Sequence, residues 1–527
     1  MTDHISERRK FLTLGAAGVA APLLVGGRAR AASSPGSPRE NFDVMAYGAK
    51  GDGKTIDSPA INQAIEAAAA SGGGTVRFPA GTYLSFSIRL KSNVSLSLGP
   101  GATVLAADTP SSGGGGYDPP EANEWDKYQD FGHSHWHNSL IWGEELHDIS
   151  ILGPGLIWGK GLSRGGGDKV LPAGVGNKSI SLKNCRNVTL RDLSILHGGH
   201  FAILATGVDN LTIDNLLIDT NRDAMDVDCC RNVRISNSSV NSPWDDGICL
   251  KSSYGLGYAR SCDHVTVTNC YVTGGYEEGT LLDATYKRIG PDYKAPRNGR
   301  IKFGTESNGG FRNITISNCI VEDCRGIALE TVDGALLEDV AISNITMRDI
   351  TDVPFFLRLG SRMRAPENTL VGELRRVLIN NVVVSNANSK QAAIISGIPG
   401  HYISDVKFSN IFILNQGGGT SQDSIIQPPE NEAVYPEPNR FGPMPVHGFF
   451  IRHAKGIEMR DVEVTCVKED LRPAFMLEDV EGADFSHIKL PRGDAGRWTL
   501  KNVKDFNLAQ SKPQADVYLE NVTEKTL

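Results

Sequence analysis

The sequence predicts an all-β fold, a single right-handed parallel β-helix in which short strands stack coil upon coil. Two observations predict it: a nine-residue pattern recurs along the middle of the chain, and each copy is enriched in Val, Ile and Thr. The pattern is a polar residue followed by alternating apolar and polar positions, often with Asn near its centre. The copies are NVTLRDLSI, NLTIDNLLI, NVRISNSSV, HVTVTNCYV, NITISNCIV, DVAISNITM, RVLINNVVV and DVKFSNIFI, which begin at Asn187, Asn210, Asn232, His264, Asn313, Asp339, Arg376 and Asp405.

The spacing of these copies indicates a solenoid with insertions. Successive copies begin 23, 22, 32, 49, 26, 37 and 29 residues apart. A short minimum repeat length, together with longer and irregular intervals, is typical of a parallel β-helix whose coils are joined by loops of variable length. The alternative solenoid, a leucine-rich repeat, needs regularly placed leucines and a helix in each unit. The β-branched residues therefore favour stacked strands.

The segment after Asp57 predicts a helix that caps the amino-terminal end of the solenoid. Asp57 and Ser58 precede Pro59, and AINQAIEAAAA follows with apolar residues at helical spacing. Asp is a favoured N-cap residue, and Pro is favoured in the first helical turn. A cap is expected because an open coil exposes unpaired strand edges.

The first residues, 1–31, predict a signal peptide of the twin-arginine type. Arg8 and Arg9 precede an apolar stretch from Leu14 to Val25, and an A-x-A cleavage site ends at Ala31. The alternative, a transmembrane anchor, is disfavoured because the apolar stretch is shorter than the roughly 20 residues that span a bilayer. We therefore expect a periplasmic or secreted protein with no membrane contact after cleavage.

Composition narrows the classes of partner and cofactor. The chain of 527 residues has a formal net charge of -8, and no basic run follows the predicted signal peptide. Nucleic acid is therefore not an expected partner. The nine cysteines include no C-x-x-C pair, which argues against a zinc or redox centre and favours small residues buried in a core. We expect no metal and no cofactor.

We assign residues 40–527 to the β-helix and identify two long insertions in it. Residues 281–298 are rich in Tyr, Lys and Arg, and residues 417–448 contain QPPENEAVYPEPNRFGPMP. The second insertion is too long for an ordinary connection. We therefore expect it to be a loop packed over the binding face.

A cluster of aspartates carries the predicted chemistry. Asp223 opens one predicted strand, and Asp245 and Asp246 precede the equivalent strand of the next coil. Asp223 and Asp246 are 23 residues apart, close to one coil, so we expect all three carboxylates on one face. Neighbouring carboxylates raise the pKa of at least one of them, as an acid catalyst requires. For Asp226 and Asp228 we favour the alternative of a structural aspartate that accepts backbone hydrogen bonds.

The motifs around these aspartates resemble those of glycoside hydrolase family 28, the polygalacturonases and rhamnogalacturonases. NRDAMD is similar to the family's N-x-D-G-x-D, and WDDGICLKS to its G-D-D-C-I-x-x-K-S, with departures at Ala224, Trp244 and Gly247. YGAKGDGKT, GGGTVRFPAGTY and GPGLIWGKG extend the likeness over nearly the whole mature chain. The resemblance implies a pectin-lyase-like solenoid.

The resemblance also implies an inverting hydrolase of pectin-derived or related oligo- or polysaccharides. In the family, the aspartate that matches Asp245 protonates the leaving oxygen, and those that match Asp223 and Asp246 activate water. Inversion typically needs carboxyl groups about 6.5 to 9.5 Å apart, so that a water molecule fits between acid and base. We expect neighbouring coils to provide this separation.

Two registers fit the family's R-I-K motif, whose Arg and Lys contact the sugar carboxylate. Arg300-Ile301-Lys302 matches it directly, whereas counting coils places it at Ala328-Leu329-Glu330 and puts residues 300–302 where the family has G-H-G. We favour the second register, in which the family's histidine is absent. The predicted substrate-binding residues are Asn221, His200, Lys251, Arg300, Lys302, Glu330 and Arg358.

Two other classes share the predicted fold. A polysaccharide lyase or epimerase typically needs a Ca²⁺ site and a basic proton abstractor, and a non-catalytic carbohydrate-binding β-helix protein does not need three carboxylates on adjacent coils. Within the hydrolase reading, Glu330 and the two insertions favour an exo-acting enzyme for which plain polygalacturonate is a poor substrate. A buried sugar carboxylate without a cation costs several kcal/mol.

Overall fold

The computed structural model describes residues 41–110, 115–165, 171–388 and 390–527. The predicted signal peptide, residues 1–31, lies outside the described residues. In the described part, nearly every strand pairs in parallel with the equivalent strand of the next coil, so the strands form a continuous solenoid. The predicted fold class, an all-β parallel β-helix, is confirmed.

The described residues contain 34 strands, one α-helix and six short 3₁₀ helices. The strands of the first half are β1 Asn41–Asp43, β2 Asp52–Ile56, β3 Gly74–Phe78, β4 Gly81–Ser85, β5 Ile88–Arg89, β6 Val94–Leu98, β7 Ala102–Ala106, β8 Ile141–Glu144, β9 His147–Leu152, β10 Leu156–Trp158, β11 Lys178–Lys183, β12 Arg186–Arg191, β13 Ser194–Leu196, β14 Phe201–Thr206, β15 Asp209–Asp214, β16 Leu217–Asp219, β17 Asp223–Asp228, β18 Arg231–Ser236, β19 Ser239–Asn241, β20 Ile248–Ser252, β21 Cys262–Thr268 and β22 Tyr271–Thr273. Those of the second half are β23 Ile301–Ser307, β24 Phe311–Glu322, β25 Ile327–Thr331, β26 Leu336–Arg348, β27 Phe355–Leu359, β28 Glu373–Ala387, β29 Ala393–Ser396, β30 Ile403–Asn415, β31 Phe449–Cys466, β32 Phe475–Ser486, β33 Trp498–Ala509 and β34 Val517–Thr526. The helix α1 spans Ser58–Ala70, and the 3₁₀ helices span Val44–Tyr47, Asp126–Tyr128, Phe131–Ser134, Asp423–Ile425, Pro438–Phe441 and Asp494–Gly496.

Each copy of the recurring sequence pattern begins with a residue in a tight turn and continues as a strand whose apolar side chains point into the core. Asn187, Asn210 and Asn232 have φ angles of 55°, 56° and 55°, in the left-handed region that Asn tolerates better than most residues. Their side chains form a ladder, with Asn210 Nδ2 donating to Asn187 Oδ1 at 2.8 Å and Asn232 Nδ2 to Asn210 Oδ1 at 2.7 Å. The apolar positions that follow, such as Val188 and Leu211, pair in register and are buried.

Both ends of the solenoid are covered. The apolar face of α1, which includes Ile61, is buried in the core of the first coils. Asp57 is the residue before α1, but its carboxylate accepts hydrogen bonds from the backbone N–H groups of Lys50 (2.7 Å) and Gly51 (3.0 Å) rather than capping the helix. At the other end, β34 pairs antiparallel with β33, which satisfies the edge of the last coil.

Inward side chains form one apolar core that extends from α1 to β33. The nine cysteines are unpaired, eight are buried and Cys466 is partly exposed, which agrees with the prediction of small core residues. Among the described residues, no helix has the length and apolar character needed to cross a bilayer.

One face of the solenoid positions the candidate site. It carries β14, β17, β20, β23, β25, β27, β29 and β31, which pair in that order. The insertion 417–448 lies against the outward side of the later strands, where Phe441 packs with Phe356 and Phe450. On the earlier strands, Trp136 packs against the outward side of β14. Two separate loops therefore cover this face on either side of β17 and β20.

Candidate active site

The predicted aspartate cluster lies on two neighbouring coils. Met225 of β17 pairs with Ile248 of β20, so Asp223 and Asp246, each two residues earlier, occupy equivalent positions. One carboxylate oxygen each from Asp223, Asp245 and Asp246 lies within 4.8 Å of the other two. The coil spacing inferred from the sequence therefore brings all three side chains together.

The nearest oxygens of the three carboxylates are close together. One oxygen of each lies within 4.8 Å of the other two. The reason is geometric: parallel strands of adjacent coils are about 4.8 Å apart, and side chains that leave equivalent positions in the same direction keep that spacing. The separation of about 6.5 to 9.5 Å typical of inverting glycosidases is measured between whole carboxyl groups, so the expected separation stays a prediction.

Asp246 is held by two cations from the following coil. Arg300 Nε donates to Asp246 Oδ1 at 2.7 Å, and Lys302 Nζ lies 3.3 Å from Asp246 Oδ2. Both cationic side chains are almost completely buried. They lie at the start of β23, which pairs directly with β20. Asp246 is thus an ion-paired carboxylate rather than an isolated one.

Asp245 and Asp223 share a different cation, Arg222. Its Nε lies 3.3 Å from Asp245 Oδ2 and 3.5 Å from Asp223 Oδ2. Asp245 Oδ1 also accepts hydrogen bonds from the backbone N–H of Asp246 (3.0 Å) and from Asn298 Nδ2 (3.3 Å). These contacts orient the Asp245 carboxyl group while its side chain remains 29 % exposed.

These surroundings separate the pKa values of the three carboxyl groups. Burial, together with the charge of Asp245, raises the pKa of Asp223 well above its usual range. Burial and the charge of Asp246 likewise raise the pKa of Asp245. Burial alone would also raise the pKa of Asp246, but Arg300 and Lys302 outweigh it and hold that pKa well below its usual range. The cluster therefore contains an ionised carboxylate beside carboxyl groups that retain a proton to higher pH.

The strand pairing settles the register of residues 300–302. Lys302 pairs with Cys249 on the aspartate coil and with Ala328 on the coil after it. Residues 300–302 therefore occupy the coil directly after the aspartates, and 328–330 the next one, as coil counting predicted. Arg300 and Lys302, two of the predicted substrate-binding residues, contact Asp246 of the aspartate cluster from this coil.

Glu330 lies at the margin of the cluster. It is completely buried, and its Oε2 is 3.7 Å from Lys302 Nζ. Among the described residues, neither carboxylate oxygen has a hydrogen-bond partner. Burial raises the pKa of Glu330 to about 7, although Lys302 and Arg300 oppose the shift. Glu330 is thus within the charge network of the site, but it contacts Lys302 rather than the aspartates.

His200 lies on the coil before Asp223, and Asn221 lies two residues before Asp223 on the same coil. His200 is almost completely buried, with its Nδ1 3.4 Å from Arg222 Nη1. Burial, followed by the charge of Arg222, holds the pKa of His200 well below its usual range, so the ring is neutral. Within the described residues, His200 Nε2 and Asn221 Oδ1 have no hydrogen-bond partner. Both atoms are buried, so contact of His200 and Asn221 with a substrate stays a prediction.

The structure does not place every predicted substrate-binding residue at the cluster. Lys251 Nζ lies 3.0 Å from Glu306 Oε2 and 3.8 Å from Asp226 Oδ2, so it joins a buried ion-pair network beside the site. Arg358 lies three coils beyond Asp245 and Asp246 in the strand order, where it donates to a backbone oxygen of the 417–448 loop at Glu430 (2.7 Å). Arg358 therefore supports the loop, because its donors are occupied away from the cluster.

Asp228 fits the structural reading favoured from the sequence, whereas Asp226 contacts the side chains of His133 and Lys251 instead of backbone N–H groups. Asp228 accepts hydrogen bonds from the backbone N–H and hydroxyl of Ser253 at 2.8 and 2.6 Å. Asp226 Oδ2 lies 3.2 Å from His133 Nε2. Both aspartates are fully buried and participate in contacts within the protein.

Several residues of the site were not identified from the sequence. Glu437 and Tyr435, from the 417–448 loop, contact the cations of the cluster: Glu437 Oε1 lies 2.6 Å from Arg300 Nη2, and Lys302 Nζ lies 3.3 Å from Tyr435 Oη. Asn298, at the end of the 281–298 insertion, contacts Asp245. The aromatic and Pro-rich composition of the loop indicated a packed segment. No spacing rule, however, indicates that Glu437 contacts Arg300, which lies 137 positions earlier in the sequence.

Among the described residues, two groups of side chains have a geometry that could hold a cation. One is the aspartate cluster, and the other comprises Asp130, His133 and Glu306. In the second group, Arg364 donates to Asp130 Oδ1 at 2.7 Å and to Glu306 Oε1 at 2.5 Å. Because Arg364 already supplies positive charge there, we interpret this group as an ion-pair network that ties two loops together.

Comparisons with known proteins agree with this architecture. A family model described as rhamnogalacturonase A/epimerase, pectate lyase-like, matches residues 41–132, and a right-handed β-helix model matches residues 178–351. A probable polygalacturonase of Vitis vinifera is 23 % identical over 401 residues, which cover 70 % of this chain and 73 % of that protein. The chain resembles glycoside hydrolase family 28. The second match also supports the predicted right-handedness of the helix.

Two solved exopolygalacturonase structures share the fold. A family 28 exopolygalacturonase from Yersinia enterocolitica aligns with a TM-score of 0.62 at 17 % identity, covering 90 % of this chain and 78 % of that one. A hyperthermoactive exopolygalacturonase from Thermotoga maritima aligns with a TM-score of 0.58 at 16 % identity, covering 94 % and 96 %. At these identities the likeness shows a common β-helix architecture.

Proposed function

We propose that this chain is an inverting, exo-acting glycoside hydrolase of pectin-derived or related oligosaccharides. The observation that carries the proposal is the aspartate cluster, in which three carboxylates meet on adjacent coils and have pKa values shifted in opposite directions. Glycoside hydrolysis needs one carboxyl group that donates a proton and one carboxylate that activates a nucleophile. The resemblance to polygalacturonases supports the same chemistry.

Each aspartate has a proposed role that follows from its surroundings. Asp245, whose pKa is raised, donates its proton to the glycosidic oxygen as the bond to the anomeric carbon breaks. Asp246, which Arg300 and Lys302 keep ionised, accepts a proton from the attacking water. Asp223 lies beside both and helps to orient that water. After turnover Asp245 is ionised and Asp246 protonated, and exchange with solvent restores the starting state.

The spacing of the carboxylates allows a second candidate mechanism. Oxygens within 4.8 Å of one another are compatible with the carboxyl separation of about 5 to 5.5 Å found in retaining enzymes, where a carboxylate attacks the sugar directly. The motifs around the cluster, however, resemble those of an inverting family, in which water attacks the sugar directly. We therefore favour water as the nucleophile, and the configuration of the product distinguishes the two mechanisms.

The loops around the cluster support exo action. The 417–448 loop covers the outward face of the later coils through Phe441, and the segment that contains Trp136 covers the earlier coils. A long polysaccharide that crosses this face would meet a loop on each side of the aspartates. Removal of terminal units from short chains therefore fits this arrangement better than cleavage within a polymer.

The test of the proposed function is a screen against defined pectic oligosaccharides, with rhamnogalacturonan fragments first. Products are identified by mass, which increases by one water per bond hydrolysed, and by ultraviolet absorbance, which reports the unsaturated sugar that a lyase would form. We expect release of terminal units with no absorbance change. A rapid fall in viscosity of polygalacturonate with few reducing ends would contradict exo action.

Export remains part of the proposal. We propose that the twin-arginine signal delivers the folded enzyme to the periplasm or the exterior, where oligosaccharides are available. Fractionation of cells that produce the full chain, with and without Arg8→Lys and Arg9→Lys, tests it. Retention of the double variant in the cytoplasm is expected, and unchanged export would contradict the assignment.

A further inference from the structure

Glu437 brings a carboxylate from the 417–448 loop to the cations beside the catalytic aspartates. Its Oε1 accepts a hydrogen bond from Arg300 Nη2 at 2.6 Å, and its Oε2 lies 3.2 Å from Arg300 Nη1 and 3.1 Å from Arg325 Nη1. The Glu437 side chain is only 12 % exposed. A two-pronged contact between guanidinium and carboxylate is among the stronger and more directional ion pairs in proteins.

The positive charge next to Asp246 is thereby neutralised by the protein itself. Arg300 lies between two carboxylates, because its Nε binds Asp246 and its terminal nitrogens bind Glu437. Lys302 lies between Asp246 and Glu330, at 3.3 and 3.7 Å. A sugar carboxylate that approached Arg300 would have to compete with Glu437, and like charges at short distance repel in a site of low dielectric.

The position of Glu437 is fixed on both sides. Two residues earlier, Tyr435 Oη accepts a hydrogen bond from Thr305 Oγ1 at 2.7 Å. On the other side, Pro438 and Phe441 are buried, and Phe441 belongs to the apolar cluster on the outward face of the later coils. The Glu437 carboxylate is therefore held in a fixed position in the site by the residues on both sides of it.

We propose that Glu437 sets the charge preference of the sugar subsite beside Asp246 and makes it a subsite for an uncharged sugar. The inference rests on the proposed function and adds the determinant of its substrate class. A neutral sugar can donate a hydroxyl hydrogen bond to Glu437, whereas a uronate can only accept hydrogen bonds with its carboxylate. Glu437 thus selects against the sugar that the polygalacturonases of the family cleave.

The experiment removes the charge of Glu437 and measures binding of two sugars that differ at one carbon. Calorimetric titrations with galacturonate and with galactose are made on the wild-type chain and on Glu437→Gln and Glu437→Ala. Glu437→Asp keeps the charge, and Glu432→Gln is the matched control, since Glu432 lies exposed on the same loop. Thermal unfolding of each variant verifies that it is folded.

The two charge-removing variants are expected to bind galacturonate at least about tenfold more tightly than the wild type. In these variants Arg300 and Arg325 no longer bind the Glu437 carboxylate, so their N–H groups can bind the carboxylate of the sugar. Galactose affinity should change by less than about threefold, and Glu437→Asp and Glu432→Gln should behave as the wild type. Unchanged galacturonate affinity in the variants, or wild-type preference for galacturonate over galactose, overturns the inference.

Hydrolysis of pectic oligosaccharides by the same proteins separates this inference from the function on which it rests. If galacturonate binding increases in Glu437→Gln while no variant hydrolyses any glycoside, the charge preference stands and the hydrolase assignment is rejected. If the wild type hydrolyses oligosaccharides but the ratio of kcat/KM for galacturonate-terminated and neutral-terminated substrates is the same in Glu437→Gln, the role of Glu437 is rejected and the hydrolase assignment stands.

Discussion

Replacing Asp245 with Asn removes the proton that we assign to the leaving oxygen and keeps the size of the side chain. In the wild type, the backbone N–H of Asp246 and the Nδ2 of Asn298 donate to Asp245 Oδ1 at 3.0 and 3.3 Å. The amide oxygen of Asn can still accept these two hydrogen bonds. The amide nitrogen, however, would face Arg222 Nε, which is 3.3 Å from Oδ2. Two donors that face each other cost about 1 to 3 kcal/mol when buried. Because Asp245 is 29 % exposed, we expect the lower end of that range and a folded protein.

The effect on turnover is expected to be much larger than the effect on stability. General acid catalysis contributes about 10² to 10⁴ in rate, which corresponds to about 2.7 to 5.5 kcal/mol of activation free energy. The assay compares two substrates with the same sugar, one with a sugar as leaving group and one with a nitrophenol. Since nitrophenolate departs without a proton, Asp245→Asn should lose activity mainly on the first substrate.

Two further variants make the comparison specific. Asp246→Asn should lose similar activity on both substrates, because the base is needed whatever the leaving group. Asp192→Asn is the matched control, since Asp192 accepts a hydrogen bond from Asn215 at 2.8 Å on the exposed surface, and it should retain wild-type rates. Near-normal turnover of the sugar-leaving substrate by Asp245→Asn would refute the assignment of the acid.

Three other predictions follow from the described contacts. Arg222 lowers the pKa of Asp245 and Asp223, and activity requires a protonated Asp245, so Arg222→Gln should move the alkaline limb of the kcat/KM profile to higher pH; an unmoved limb would contradict Asp245 as the group that must be protonated. The pKa of Glu330 is raised by burial to about 7 from 4.5, so the folded chain loses stability relative to the unfolded chain as pH rises between these values. The free energy of unfolding of Glu330→Gln should therefore rise above that of the wild type by up to about 3 kcal/mol as the pH increases across that interval. A difference between the two proteins that does not change with pH, measured by chemical denaturation, would contradict this. Trp498 is fully buried and stacks on Phe475 with ring centroids 4.0 Å apart, so Trp498→Ala should lower the free energy of unfolding by about 3 to 5 kcal/mol, measured in the same way; a loss below about 1 kcal/mol would show that the last coils do not contribute to the cooperative core.

The sequence predicted those parts of the fold and site that follow from coil periodicity. The repeats that begin at Asn187 and Asn210 revealed the strands, because a left-handed turn residue and an inward apolar row must recur in each coil. The same period placed Asp223 beside Asp246, and counting coils placed residues 300–302 directly after them. These features depend on backbone spacing, which a repeat fixes.

What could not be predicted depends on side-chain reach and on loops. The distance between the nearest oxygens of the carboxylates follows from side-chain directions on paired strands, which the repeat length does not specify. Arg358 was predicted to face the substrate, but its donors are used by the backbone of the loop at Glu430. Glu437 enters the site from an insertion that has no equivalent in the repeat, so no period indicates its contact with Arg300.

The most direct test of the proposed mechanism is the anomeric configuration of the first product, followed by proton NMR during the earliest part of hydrolysis, before mutarotation. Attack by a water that Asp246 activates, with Asp245 as the acid, predicts that the new reducing sugar appears with inverted configuration. A retained configuration would show that a carboxylate attacks the sugar, as the spacing of less than 4.8 Å between the nearest oxygens of the cluster would allow, and an unsaturated product would exclude hydrolysis altogether.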